Sequence, residues 1–165
     1  MGEGLLTGVV GGLVGTIVMT QFQNAWRKAS QAIKPEGRGE SSASGEEKED
    51  ATMKAAGKAA SLAGRNLSHE TKKKLGPVVH YGFGTLQGGV YGSILEAFGC
   101  SGGLIAGLVF GAALFALADE LAVPALGLSG KPGESPLSSH VYAFASHLVY
   151  GLSSEVARKG LRASI

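Results

Sequence analysis

Four long apolar stretches constrain this chain more than any other feature of its sequence. They occupy residues 5–26, 77–98, 102–122 and 137–156, and each has about the 20 residues that a helix needs to cross a hydrocarbon core roughly 30 Å thick. Residues 103–118 contain no charged or amide side chain, whereas each helix of a soluble four-helix bundle needs a polar stripe. We therefore predict an all-α, polytopic membrane protein with four transmembrane helices.

The charged residues are concentrated between the first and second apolar stretches. Eleven of the 15 Lys and Arg residues, and seven of the 13 acids, lie between Arg27 and Lys74. We divide the chain into transmembrane helix one at 1–28, a charged loop at 29–76, transmembrane helices two to four at 77–159 and a tail at 160–165. Because cytoplasmic loops are rich in Lys and Arg, we expect the charged loop in the cytoplasm and both termini on the other side.

A cleaved signal peptide is the alternative for the first stretch. No basic residue precedes it, however, and Trp26, Arg27 and Lys28 end it in the manner of an interfacial anchor.

The charged loop has two parts. Residues 34–50 are charged and rich in Ser and Gly, so we expect disorder there. Residues 51–67 are compatible with a helix that places Met53, Ala56 and Ala60 near one face, which suits either a helix resting on an anionic membrane surface or a solvated helix. Ser68 is placed to cap the helix that follows.

Glycine recurs at every fourth position in three runs. At 3.6 residues per turn such a run forms a smooth groove, and helices in a membrane associate through close backbone approach. We predict helix packing through these grooves, although a groove could also form a homo-oligomer interface or accommodate a flat cofactor. The residues concerned are Gly4, Gly8, Gly12, Gly84, Gly88, Gly92, Gly99, Gly103, Gly107 and Gly111.

Two segments of the chain resemble two others, which predicts an internal repeat of two helices. The run that begins at Gly4 is echoed by the run that begins at Gly103. Val-Tyr-Gly at residues 90–92, followed by Glu96, is echoed by Val-Tyr-Gly at residues 149–151, followed by Glu155. A repeat of two helices preserves orientation, so its axis would lie along the membrane normal.

Ionisable side chains at membrane depth are costly and mark candidate functional positions. Antiparallel helices would bring several of them to one depth near the charged loop, with His147 and Gln87 each seven residues deeper than a histidine on the same helix face. Glu96 and Glu155 lie near the far ends of their helices. The predicted intramembrane cluster consists of His80, Gln87, Asp119, Glu120, His140 and His147.

Several functions fit this cluster. It could carry protons or a small cation, bind a divalent metal, hold haem, or simply join the helices by hydrogen bonds. The chain contains no H-E-x-x-H, P-loop or G-x-S-x-G motif, so we predict no enzymatic activity and no cofactor. The expected partners are the lipid bilayer and either a second copy or a membrane-complex subunit, and not nucleic acid. A non-catalytic structural or partner-binding subunit is the alternative function.

The sequence resembles the YagU-like family, whose members are small bacterial inner-membrane proteins of unknown biochemical activity. The resemblance covers residues 77–159 well and the first helix loosely, and it implies a multi-pass protein of the bacterial inner membrane. It rests on His80, Leu95-Glu96-Ala97-Phe98, the run from Gly103 to Gly107, the run from Val123 to Leu128, and the run from His147 through Glu155 to Arg158.

Overall fold

The structure, a computed structural model, describes residues 2–33, 49–130 and 132–164. Every regular element in these ranges is helical, which confirms the predicted all-α class. The sequence predicts disorder over residues 34–50. Residues 34–48 lie outside the described ranges, whereas Glu49 and Asp50 are ordered, because Glu49 pairs with Lys72 and Asp50 accepts a hydrogen bond from the Met53 N–H. The five main helices are α1 (Gly2–Ile33), α2 (Ala51–Leu62), α3 (His69–Ala97), α4 (Leu104–Ala125) and α5 (Leu137–Arg162), with a single 3-10 turn at Pro132–Glu134.

Two of these helices are long and apolar enough to cross a membrane, namely Gly2–Ala32 and Leu104–Ala125. The second is not a uniform helix. It is α-helical over Leu104–Leu114, π-helical over Phe115–Ala122 and α-helical again over Val123–Ala125.

The helices extend beyond the apolar stretches that predict them. α1 continues to Ile33 and α5 to Arg162, while α3 begins at His69 and contains Pro77 within it. The predicted cap is confirmed, because Ser68 Oγ accepts a 3.3 Å hydrogen bond from the Thr71 N–H. Hydropathy therefore locates the apolar part of each helix rather than its ends.

α1 is the central helix of the bundle. It packs against α3 on one face and α5 on another, α4 packs against α5, and α2 packs against α3. The α3 and α4 helices meet through aromatic rings, since Tyr91 and Phe110 stack with their centroids 4.3 Å apart.

Glycine lets α1 and α3 approach to backbone contact. A Cβ on Gly4 would lie 2.6 Å from the Gly92 carbonyl oxygen, and a Cβ on Gly12 would lie 2.6 Å from that of Gly84. Since real Cβ atoms do not approach so closely, a side chain at these positions would force the helices apart.

A second glycine contact joins α4 to α5. A Cβ on Gly107 would lie 2.7 Å from the Gly151 carbonyl oxygen, and a Cβ on Gly111 would overlap the His147 carbonyl oxygen. Eight of the ten glycines predicted to pack therefore lie in helix contacts.

The other two, Gly99 and Gly103, correct the prediction. A Cβ on either residue would meet nothing within 4 Å, and their φ angles are 63° and 146°. Gly99 ends α3 in the left-handed conformation, with its N–H bonded to the Glu96 carbonyl and the Cys100 N–H bonded to that of Leu95. Both glycines serve the turn between α3 and α4 because glycine adopts positive φ without strain.

The α2 helix is shorter and differently placed than predicted. It ends at Leu62 rather than residue 67, before Gly64 at a φ of 72°. Its apolar residues Met53 and Ala56 are 7% and 6% exposed, and a Cβ on Gly76 of α3 would lie 3.3 Å from Met53 Cγ. The face predicted for a membrane surface is therefore buried against α3.

Candidate functional site

Two acids of α4 meet two histidines of α5 at the end of the bundle nearest the charged loop. His140 Nδ1 lies 2.7 Å from Glu120 Oε1, and His147 Nδ1 lies 3.6 Å from Asp119 Oδ2. His147 Nδ1 is also 2.9 Å from the Ala143 carbonyl oxygen, to which it donates when protonated. All four residues belong to the predicted intramembrane cluster, in which Asp119, Glu120 and His140 are expected at one depth and His147 seven residues deeper.

The π-helical segment Phe115–Ala122 presents both acids. Asp119 and Glu120 are adjacent in sequence, yet they contact histidines seven residues apart on α5, which is roughly 10 Å along a helix axis. Such widened turns recur at functional sites. No sequence pattern predicts this one.

Two other predicted residues, His80 and Gln87, lie on α3, and only His80 interacts with this group. His80 Nε2 lies 3.4 Å from Thr20 Oγ1 of α1, and His80 is close enough to His147 and Asp119 to interact with them electrostatically. Gln87 is half-buried, and its side-chain amide makes no hydrogen bond within the described part of the chain. We use the term near cluster for His80, Asp119, Glu120, His140 and His147.

A second charged group lies toward the other end of α5. Glu155 and Arg158 are 0% and 1% exposed. Arg158 Nε donates to Glu155 Oε2 at 2.7 Å, and Arg158 Nη2 donates to Glu155 Oε1 at 2.9 Å. The backbone completes the arrangement, because the Gly103 N–H donates to Glu155 Oε1 at 2.6 Å and the Ser101 carbonyl accepts from Arg158 Nη2 at 2.9 Å.

Three buried polar atoms around this pair make no hydrogen bond within 3.5 Å among the described residues: Arg158 Nη1, Tyr91 Oη, which lies near Glu155, and Ser154 Oγ, which lies near Tyr150. Tyr91 lies close enough to Glu155 and Arg158 to interact with both charges. Unpaired polar atoms are rare in a protein interior and call for an explanation. We use the term far cluster for Tyr91, Ser154, Glu155 and Arg158.

The sequence predicts a candidate position at Glu155 of the far cluster but does not include Arg158 in its candidate site. The spacing of the two residues is the signal that could have found the pair, because positions i and i+3 are neighbours on a helix. The other predicted carboxylate, Glu96, lies apart from this pair and accepts a 3.0 Å hydrogen bond from the Gly4 N–H.

Two buried hydroxyl groups lie on the inward face of α5, Ser146 beside His147 and Tyr150 between the two clusters. Tyr150, which is 2% exposed, donates a 2.6 Å hydrogen bond to the Gly84 carbonyl of α3. Ser146 is fully buried and donates to the Tyr142 carbonyl at 2.8 Å. The inward face of α5 is therefore polar from His140 to Arg158.

Within the ranges that the structure describes, no group of three or more His, Cys, Asp or Glu side chains is arranged to hold a metal ion. Comparison with known proteins gives no match to a family model, to a curated protein or to a solved structure.

Proposed function

We propose that this chain is an integral membrane protein that crosses the bilayer four times and transfers protons along the inward face of α5. The main support for the membrane location is the distribution of polarity. Thr7, Thr16, Ser146, Ser154, Glu155 and Arg158 are at most 1% exposed, while large apolar side chains cover the outside. A soluble fold has the opposite arrangement. Only 17% of the most apolar part of α4 is buried within the protein, which supports a lipid-facing helix over the core helix of a soluble bundle.

The α3 and α5 helices are the two additional spans of this proposal. Their composition is polar because glycine and hydrogen-bonding side chains face the interior. The outward residues are apolar and follow helical spacing. They include Phe83, Leu86, Val90 and Ile94 on α3, and Val141, Phe144 and Val156 on α5, all at least 40% exposed. Such stripes suit contact with lipid tails.

The proposed orientation places the charged loop in the cytoplasm. Arg158, which sequence reasoning counts on the opposite side, is buried and neutralised by Glu155. Fewer free positive charges therefore oppose the positive-inside assignment. A bacterial inner membrane is proposed on the resemblance to the YagU-like family.

Proton transfer is the activity that the interior supports best. Imidazole and carboxylate groups exchange protons, and the near cluster pairs them at 2.7 Å and 3.6 Å. His147 and Glu155 are eight residues apart, which is roughly 12 Å on a helix. Between these positions α5 carries the hydroxyls of Tyr150, which donates to the Gly84 carbonyl, and Ser154, and the Tyr91 hydroxyl of α3 lies beside Glu155.

The packing favours protons over larger ions. The α1–α3 and α4–α5 contacts bring backbone atoms together at glycine, as at Gly12 and Gly107, so a hydrated cation cannot pass between the helices of either pair. A proton needs only a chain of groups that donate and accept hydrogen bonds.

Proton flux into proteoliposomes tests this proposal. Wild-type vesicles should carry a flux that depends on pH, and His147→Ala should reduce the flux toward that of protein-free vesicles. His69→Ala is the matched control, because the His69 side chain is 40% exposed on the first turn of α3 and contacts Glu49. This control variant should retain the wild-type flux.

Two outcomes would contradict proton transfer. The first is a wild-type flux no greater than that of protein-free vesicles, which would leave a structural or partner-binding subunit as the function. The second is an equal loss of flux in the His147 and His69 variants, because His69 lies outside both clusters.

A further inference from the structure

A basic pocket of about 310 Å³ lies between α2, the first turn of α3 and the turn after α4. Of the described residues that line it, three are lysines, at positions 54, 58 and 72, and one is an acid, Glu49. The pocket is separate from the near and far clusters, and the proposed proton transfer does not use it.

The three lysines differ in their contacts. Lys72 Nζ is paired with Glu49 at 2.9 Å, and Lys58 Nζ donates to the Leu126 carbonyl. The half-buried Lys54 makes no side-chain hydrogen bond or ion pair within the described ranges. Among the described lining residues Glu49 balances one lysine, so these side chains together carry a net positive charge, and the Lys54 ammonium group has no partner among them. An anion bound there would compensate that charge.

The position of the pocket indicates which kind of anion it would bind. Gly127, which lines it, lies two residues beyond the end of the apolar span Leu104–Ala125. A pocket at the end of a membrane span lies at the depth of the lipid headgroups. Gly127 has a φ of 64°, so the chain turns there and leaves α4 beside α2.

We propose that this pocket binds the phosphodiester headgroup of an anionic phospholipid. Lys54 and Lys58 supply the positive charge, and the exposed side-chain amide of Asn66 adds a hydrogen-bond donor. The Lys58 contact with Leu126 places this site beside the end of α4, the helix that carries Asp119 and Glu120. The inference rests on the membrane location proposed above and not on proton transfer.

A binding titration on the full chain in a non-ionic detergent tests the site. Dihexanoylphosphatidylglycerol is the anionic lipid probe, dihexanoylphosphatidylcholine is the zwitterionic control, and inorganic phosphate is the soluble anion. We expect Lys54→Gln to weaken binding of the anionic lipid about fivefold, since each lysine near an anionic surface contributes roughly that factor. Lys58→Gln added to it should weaken binding further.

Lys159→Gln is the matched control, because Lys159 is exposed near the end of α5 and lines a different pocket. It removes the same charge and should leave the affinity unchanged. Far-ultraviolet circular dichroism should be the same for the wild type, Lys54→Gln and Lys159→Gln, since Lys54 makes no side-chain hydrogen bond or ion pair with the described residues. It also checks the fold of the double variant, which loses the Lys58 contact with the Leu126 carbonyl.

Either of two results would overturn the assignment. Equal lipid affinity in the wild type and Lys54→Gln would exclude this pocket, and inorganic phosphate binding as tightly as the lipid would assign it to a free anion. The lipid-binding experiment and the flux experiment test different proposals and can have different outcomes. A protein that binds the lipid through Lys54 but carries no flux contradicts proton transfer alone.

Discussion

The backbone N–H of Gly103 donates a 2.6 Å hydrogen bond to Glu155 Oε1. An equivalent bond joins α1 to α3, where the Gly4 N–H donates to Glu96 Oε2 at 3.0 Å. These are the residues that the internal repeat aligns, Gly4 with Gly103 and Glu96 with Glu155. A glycine N–H and a glutamate carboxylate thus join α1 to α3 and the start of α4 to α5 in the same way, as expected if both helix pairs derive from one ancestral hairpin.

The α1–α3 pair and the α4–α5 pair are alike in the contacts inside each pair, but the contacts that join the two pairs are not symmetric. Gly8 contacts Gly92 as Gly107 contacts Gly151, but α1 packs extensively on α5 whereas α3 meets α4 chiefly through the Tyr91 ring. The second pair has also acquired Arg158, where the alignment places Gly99 in the first. A repeat with a symmetric axis along the membrane normal therefore does not describe the whole bundle.

Adding a methyl group to the α1–α3 contact should destabilise the bundle. A Cβ on Gly88 would lie 2.5 Å from the Gly8 carbonyl oxygen and would overlap the Gly12 Cα. We expect Gly88→Ala to lower the free energy of unfolding by about 1–3 kcal/mol or more. Denaturation by sodium dodecyl sulfate in mixed micelles measures this change.

Gly82→Ala provides the comparison on the same helix, because a Cβ there would meet nothing within 4 Å. It should leave stability unchanged or slightly raised, since alanine favours helix. Equal stability of the Gly82 and Gly88 variants would show that the glycine contact does not hold α1 to α3.

Removing one member of the Glu155–Arg158 ion pair should lower the free energy of unfolding more than replacing both members. Arg158→Leu leaves a carboxylate that is 0% exposed without its guanidinium, and the loss of one partner of a buried pair costs about 3–5 kcal/mol. Adding Glu155→Gln should recover most of that stability, because the amide oxygen still accepts from the Gly103 N–H. Detergent unfolding of both single variants and the double variant gives the coupling energy, and strictly additive losses would contradict the pairing.

The attachment of α2 should weaken in acid. Burial opposes ionisation of Asp50, but hydrogen bonds from the Met53 N–H and Thr52 hydroxyl outweigh it and lower the pKa of Asp50. The hydrogen bond from Lys72 likewise lowers the pKa of Glu49. Because both pKa values are lowered, the stabilisation is present above about pH 4 and is lost as the pH falls through them.

Amide hydrogen exchange over residues 51–62, corrected for intrinsic rates, measures that attachment. Protection should be constant from neutral pH to about pH 4 and should then decrease. Asp50→Ala should reduce it already at neutral pH, by about 0.5–2 kcal/mol, since the helix loses its cap. Undiminished protection at pH 2 would contradict this account of α2.

The sequence predicts the parts of this fold that repeat locally and misses those that depend on tertiary contacts. The start of α5 at Leu137 and the grooves around Gly8 and Gly88 follow from periodicity, which is a local property. Which groove faces which helix depends on how the helices assemble. Hydropathy does not locate the end of α1 or the start of α3, because both helices continue through polar residues outside the apolar stretches.

The sequence predicts which residues belong to the candidate site better than it predicts their contacts. A common depth for Asp119, Glu120 and His140, with His147 seven residues deeper, follows from antiparallel helices, but the pairing of each acid with one histidine depends on a π-helical segment that has no sequence signal. Arg158 has no place in the predicted site because a basic residue just beyond an apolar stretch ordinarily lies at the interface.

Accessibility of the sole cysteine tests the four-span arrangement most directly. Cys100 is exposed in the turn after α3, and Leu62, which is 91% exposed at the end of α2, is the reference position on the loop side. In intact spheroplasts, a membrane-impermeant maleimide should label Cys100 in the wild type, whereas Leu62→Cys in a Cys100→Ser background should react only after permeabilisation. Labelling of both positions from the same side would mean that α3 does not cross the membrane, and would contradict the account.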